Sequence, residues 1–123
     1  MTGRWEDALA APVWDGPPVW LHGDLMPTNL ILRDGRLAGV VDWGTCTTGD
    51  PACEAMLAWM TLDAGSRPRF RSLLAYDDAT WARARGWAVS SGVGALAYYR
   101  KTYPVFAELG RRTLAAVLAD DLE

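Results

Sequence analysis

The spacing of apolar positions divides this chain into a short opening helix, a small hairpin and a long helical remainder. Residues Trp5 to Ala11 read as a helix, which Pro12, Pro17 and Pro18 break and Gly16 turns. Val19-Trp20-Leu21 is a short apolar run leading into His22-Gly23-Asp24. Two β-prone runs follow, Asn29 to Arg33 and Arg36 to Val41, and they flank Asp34-Gly35. Asp-Gly between such runs is the favoured two-residue hairpin turn, because both central residues must take positive φ. Asp50 and Pro51 then read as an N-cap and a first helical position. The helix they open is expected from Ala52 to about Leu62, with Met56, Trp59 and Met60 facing inward. Gly65, Ser66 and Pro68 mark a connection. Helical spacing returns from Arg69 to Ala75, Asp78 to Tyr99 and Pro104 to Leu122. No internal repeat or low-complexity segment interrupts this order.

The expected fold is therefore α+β and mainly helical, with one hairpin near the start. A length of 123 residues suits a single domain spanning residues 1–123. Half of the residues are hydrophobic, enough for a core. The net charge of −3 argues against a nucleic-acid footprint, which needs clustered positive charge, and gives no reason to expect a membrane surface as partner. No apolar run reaches spanning length, and the first residues carry no signal-peptide apolar stretch, so the expected location is the cytoplasm. Cys46 and Cys53 read as two reduced thiols. With one histidine they fall short of four zinc ligands.

One segment carries chemistry. His22-Gly23-Asp24-Leu25-Met26-Pro27-Thr28-Asn29 has the spacing His-x-Asp-x-x-x-x-Asn, and Asp42-Trp43-Gly44 begins thirteen residues after Asn29. Phosphoryl transfer asks little of a protein beyond positioning and charge neutralisation. It needs one carboxylate beside the acceptor hydroxyl and hard oxygen ligands for magnesium. Asp24, Asn29 and Asp42 supply those types in that order. The hairpin adds a geometric expectation: with Arg33 opposite Arg36, Asn29 falls opposite Val40. Asp42, two residues further on, then shares a face with Asn29. Such diagonal positions lie about 7–8 Å apart. Arg33 and Arg36 form a like-charged pair that is tolerable only if exposed.

His-Gly-Asp-Leu-x-Pro-x-Asn, an Asp-Gly hairpin, Asp-Trp-Gly and Gly-Asp-Pro together resemble the aminoglycoside phosphotransferase and choline-kinase-like family, distant relatives of protein kinases. The matching block runs from Trp20 to about Ala58. The resemblance implies the C-terminal, catalytic-loop lobe of a protein-kinase-like fold, in which the hairpin carries the catalytic and metal-binding loops. It implies Asp24 as catalytic base and Asn29 and Asp42 as magnesium ligands. His22 would support the catalytic loop, and Asp50 would brace that loop and cap the next helix. Magnesium and ATP or GTP would be the cofactors. The acceptor would be a small hydroxylated, in some relatives cationic, molecule: aminoglycosides, macrolides, choline-like amines and sugars all suit the block.

The departures are equally specific. The family places a β-rich nucleotide-binding lobe first, with a phosphate-covering loop and a lysine. Here 21 residues precede His22, and they hold neither a glycine-rich strand-loop-strand nor a lysine; Lys101 is the one lysine. The expectation is an isolated lobe, inactive alone, that self-associates or meets a chain carrying the missing lobe. The alternative is a non-catalytic interaction module or a truncated product of such a kinase. Blander roles also exist residue by residue. His22 would be a structural histidine, Asp24 a turn residue, and Asn29 and Asp42 a strand-end cap and a turn former. Trp43, Trp59, Trp81 and Trp87 are expected in the core. The acidic end, Asp120 to Glu123, reads as a solvated tail.

Overall fold

The computed structural model describes residues 2–120. Its architecture is mixed α+β and mostly helical. Helix α1 spans Thr2–Ala10, strand β1 Val19–Leu21, and a single 3-10 turn Pro27–Asn29. Strands β2 (Leu30–Arg33) and β3 (Arg36–Val40) form the hairpin, and β4 spans Thr47–Gly49. Five helices follow: α2 (Ala52–Ala55), α3 (Leu57–Met60), α4 (Arg67–Leu74), α5 (Asp78–Tyr99) and α6 (Pro104–Ala119). No helix among the described residues is long and apolar enough to cross a membrane.

Local chemistry explains most of these bounds. Asp77 caps α5, its Oδ1 accepting the Thr80 N–H at 2.8 Å. Pro104 opens α6, where a missing N–H costs nothing. The expected helix from Ala52 to Leu62 is instead two short helices that meet at Met56, whose carbonyl takes both Trp59 N–H and Met60 N–H. Pro51 lies one residue before α2 rather than at its first position.

Helix α5 is the axis of the molecule, with α1, α2 and α6 packed against it. The core is built from Ala52, Ala55, Met56, Trp59, Trp81, Ala84, Ala88, Val89, Leu114 and Val117. Alanines and glycines let the helix backbones approach closely. A Cβ on Gly110 would lie 2.6 Å from the Gly92 carbonyl oxygen, so α5 and α6 touch backbone to backbone there. Trp59 and Trp81 are buried, as expected, with ring centroids 6.2 Å apart in an edge-on pairing. Trp43 and Trp87 are not: they are 55% and 47% exposed. Both sit near the candidate site rather than in the core.

Two small antiparallel sheets hold the N-terminal part. β1 pairs with β4, and β2 pairs with β3. The Asp34-Gly35 turn forms as expected, with φ of 51° and 73°. Arg33 faces Arg36, and both are exposed. The pairing then slips. Leu32 faces Leu37, but Ile31 faces Gly39 and Leu30 faces Val40. Ala38 is an extra residue in a bulge, so Asn29 is not opposite Val40 as the turn alone implied. Instead Val41 N–H donates to the Asn29 carbonyl at 3.0 Å.

The acidic end also departs from expectation. Asp120 is buried: Oδ2 accepts the Trp59 indole N–H at 2.7 Å and Oδ1 lies 3.4 Å from Arg67 Nε. An indole N–H and a guanidinium drawn from the core need an acceptor, and Asp120 supplies it at the end of α6. Asp121 to Glu123 lie outside the described residues.

Candidate active site

The site is built where the segment after β1 meets the segment after β3. Gly23 makes that meeting possible. Its φ is 86°, and a Cβ there would lie 2.3 Å from the Thr45 carbonyl oxygen. Only glycine allows both the positive φ and the close approach. Thr45 Oγ1 donates to the His22 carbonyl at 3.1 Å, tying the same two segments again.

His22 is buried and uses both ring nitrogens. Asp24 N–H donates to Nδ1 at 3.2 Å, so Nδ1 is the acceptor and Nε2 carries the hydrogen. Nε2 then donates to the Val41 carbonyl at 2.7 Å. The indole of Trp43 lies over the imidazole, with centroids 4.6 Å apart, and donates its N–H to the Val40 carbonyl at 2.9 Å. With no ring nitrogen left over, His22 holds the loop in shape rather than facing a substrate.

Asn29 is buried and fixes Asp24 from the other side. Its Nδ2 donates to the Asp24 carbonyl at 2.8 Å and to Asp24 Oδ2 at 3.3 Å. Both partners are acceptors, which settles the amide's orientation and leaves Asn29 Oδ1 turned elsewhere. Asp42 is exposed and takes a left-handed backbone, with φ of 61°. That conformation is uncommon away from glycine, although aspartate tolerates it better than most residues. Its carboxylate makes no hydrogen bond or ion pair among the described residues. No direct hydrogen bond joins the Asn29 and Asp42 side chains. The Val41–Asn29 backbone bond, rather than the diagonal pairing expected from the turn, ties the backbone beside Asp42 to Asn29.

Asp50 stands behind this centre. Its Oδ1 accepts the Ala52 N–H at 2.9 Å, which caps α2. Its carboxylate also takes two bonds from Arg83 on α5, at 2.7 and 3.2 Å. Arg83 further donates to Thr80 Oγ1 and the Pro12 carbonyl. Sequence reading gave the cap but not Arg83, which lies 33 residues away with no local signal. It also missed Glu54, whose Oε1 accepts the Gly23 N–H at 3.0 Å and so anchors the loop to α2.

A family model described as "Phosphotransferase enzyme family" matches residues 2–87. The chain belongs to this phosphotransferase family. The match contains every residue of the site just described, from His22 to Arg83. An uncharacterized protein of Bacillus subtilis (strain 168), YcbJ, is 33% identical over 84 residues, covering 65% of this chain and 26% of that relative. The chain thus spans about a quarter of the length of that relative. No solved structure gives a significant match.

The residues present suit the magnesium that such phosphotransferases use. Asn29 Oδ1 and the Asp42 carboxylate are hard oxygen donors with no engagement among the described residues, the donor type magnesium prefers. Among the described residues no three His, Cys, Asp or Glu side chains gather as a metal cluster. Asn29 and Asp42 would together offer one amide and one carboxylate, which would leave places for phosphate oxygens and water.

Beside Asp24 lies a cavity of about 190 Å³, walled by α5, α6 and the α2–α3 junction. Cys53 is on its wall. Burial, then the charges of Glu54 and Asp50, pushes that thiol above its usual range.

Proposed function

We propose that this chain is the catalytic-loop lobe of a small-molecule kinase, which transfers the γ-phosphate of ATP or GTP to an acceptor hydroxyl. The observation that carries this reading is the pairing of a fixed Asp24 with an unengaged Asp42. Asn29 and the His22 clamp hold Asp24 beside the cavity, while the left-handed Asp42 keeps its carboxylate free. In the proposed reaction the acceptor oxygen bonds to the γ-phosphorus as the bond to the β–γ bridging oxygen breaks. The hydroxyl proton passes to Asp24, and the nucleoside diphosphate departs with the bridging oxygen. Asn29 and Asp42 would hold magnesium, which neutralises phosphate charge when bound. The cavity beside Asp24 would receive the acceptor.

We further propose that these 123 residues act with a nucleotide-binding lobe supplied by another polypeptide or another part of one. The 21 residues given ahead of His22 hold no lysine and no glycine-rich strand-loop-strand. Positioning can contribute roughly 7–11 kcal/mol to such a reaction, and phosphates held at one metal site alone would forgo much of it. Trp20, Ile31, Leu32, Leu37 and Val41 on or beside β1 to β3 are exposed, an apolar surface suited to another lobe or a second copy.

The test is phosphate transfer from labelled ATP and GTP to a panel of alcohols, with and without an added nucleotide-binding lobe. The expected result is turnover only in the complemented form. Asp24→Asn should abolish it while nucleotide binding persists, and Asp42→Ala should weaken magnesium-dependent nucleotide binding as well. Equal loss of binding in both variants would contradict the separate roles.

A further inference from the structure

The cavity beside Asp24 is walled by carbon and sulfur. Met26, Met56 and Met60 line it together with Phe106, Leu109 and Trp87. Its polar groups are few, and most are spent within the protein. Ser91 Oγ donates to Met56 Sδ at 3.5 Å, and Thr113 Oγ1 donates to the Leu109 carbonyl at 2.9 Å. Among the described residues Asp24 is the one carboxylate on the wall, and no arginine or lysine lines it. The two nearest further acids act elsewhere: Glu54 accepts the Gly23 N–H, and Asp50 is bound to Arg83. Among the described residues, polar ligand groups would therefore meet few partners here beyond Asp24 and the weakly bonding Cys53 thiol, and an unpartnered group is costly to bury.

From this we infer that the acceptor carries its hydroxyl on an uncharged, apolar body rather than on a polycationic sugar. The inference rests on the kinase reading above, because Asp24 is taken as the group that meets the hydroxyl. Volume limits the body. An apolar cavity of ~150 Å³ holds one benzene molecule, so about 190 Å³ takes one ring bearing a hydroxymethyl arm. A larger acceptor would place one such ring or branched chain in the cavity. The three methionines suit this role. Their unbranched, polarizable side chains adapt to different apolar shapes, while Asp24 fixes where the hydroxyl sits.

The chain holds four methionines, Met1, Met26, Met56 and Met60, and three of them line the cavity. Labelling the methionine methyls with carbon-13 gives each wall a signal. The 123-residue chain would be titrated separately with benzyl alcohol, choline and kanamycin. Benzyl alcohol should move the Met26, Met56 and Met60 signals saturably, with a dissociation constant on the order of millimolar for so small a ligand. Met1 serves as the control. Ala95→Phe, at a partly exposed position on the cavity wall, should weaken the effect at least tenfold. Ala95→Leu, if the larger ring disturbs folding, should do so less strongly. Choline and kanamycin should leave the three signals in place. Stronger shifts with choline or kanamycin, or none with benzyl alcohol, would overturn the inference. Saturable benzyl alcohol binding without phosphate transfer in the complemented chain would uphold the cavity chemistry and sink the kinase reading. Transfer to kanamycin but not to benzyl alcohol would do the reverse.

Discussion

His22 Nε2 lies 2.7 Å from the carbonyl oxygen of Val41, and this bond joins the loop bearing Asp24 to the loop bearing Asp42. One imidazole sets the relation between two acids that are eighteen positions apart in the chain. Because Nδ1 is occupied by the Asp24 N–H, the ring also shapes the backbone of the residue it positions.

Removing the ring should therefore cost both stability and activity. His22→Ala leaves the Val41 carbonyl and the Asp24 N–H, both only partly buried, without these partners. The expected destabilisation is about 1 kcal/mol, from the two lost hydrogen bonds. In the complemented enzyme, turnover should fall without a change in the shape of its pH profile, since His22 moves no proton. Chemical denaturation and a pH–rate series check the two halves. A pH profile that loses a limb in His22→Ala would assign the ring a proton-transfer role instead.

Asp42 allows the backbone and the carboxylate to be separated. Its φ of 61° suits glycine, tolerates aspartate and penalises alanine. Asp42→Gly relieves the backbone but gains unfolded-state freedom, so its stability should stay within about 1 kcal/mol of the parent. Asp42→Ala should be the less stable of the two variants. Magnesium-dependent turnover should vanish in both. Melting curves read the first ordering and complemented assays the second. If Asp42→Gly kept turnover, the carboxylate would not be a metal ligand.

What could be read from the sequence was local. The hairpin turn was legible because Asp34-Gly35 has almost no other use between two β-prone runs. The His-x-Asp-x-x-x-x-Asn spacing was legible because it resembles the motif block of the phosphotransferase family. The bulge at Ala38 was not, since alanine gives no sign of an unpaired strand residue, and the error shifted Asn29 by one place. Glu54 and Arg83 were invisible for a different reason. Each reaches its partner across more than thirty residues: α2 meets the loop after β1 at Glu54, and α5 meets the start of α2 at Arg83. Asp120 looked solvated because acids cluster after it, while its partners Trp59 and Arg67 belong to the core. Trp87 looked like core by residue type, yet α5 turns it to the cavity rim.

The Asp50–Arg83 pair offers a test of the scaffold apart from the chemistry. The two side chains are 26% and 12% exposed, so their paired hydrogen bonds are only partly screened by solvent. A double-mutant cycle with Asp50→Ala and Arg83→Ala should give a coupling of about 1–3 kcal/mol, the range for hydrogen bonds to charged groups. Asp50→Asn should recover part of it, because an amide oxygen can still cap α2 and accept one guanidinium bond. Denaturant unfolding of the four chains measures this. A coupling near zero would mean that Arg83 is held by Thr80 and Pro12 alone.

The thiols give the last prediction, and its sign follows from burial. Cys46 is exposed, whereas Cys53 is partly buried on the cavity wall, where burial and then the charges of Glu54 and Asp50 raise its pKa. Thiolate is the reactive form, so Cys46 should be alkylated by iodoacetamide first, and Cys53 should follow only as pH climbs above the usual thiol range near ~8.5. Benzyl alcohol should slow the Cys53 reaction further by filling the space beside it. Stability responds in the same direction. The folded chain keeps the Cys53 proton at a pH where the unfolded chain has lost it. This contribution is therefore complete below the unfolded thiol's pKa and declines as pH rises through and beyond it. Cys53→Ala should flatten that alkaline decline. Mass spectrometry of the alkylated chain and unfolding curves from pH 7 to 10 check both effects. Alkylation of Cys53 at the rate of Cys46 would mean that the cavity wall opens to solvent, and the apolar acceptor site would lose its enclosure.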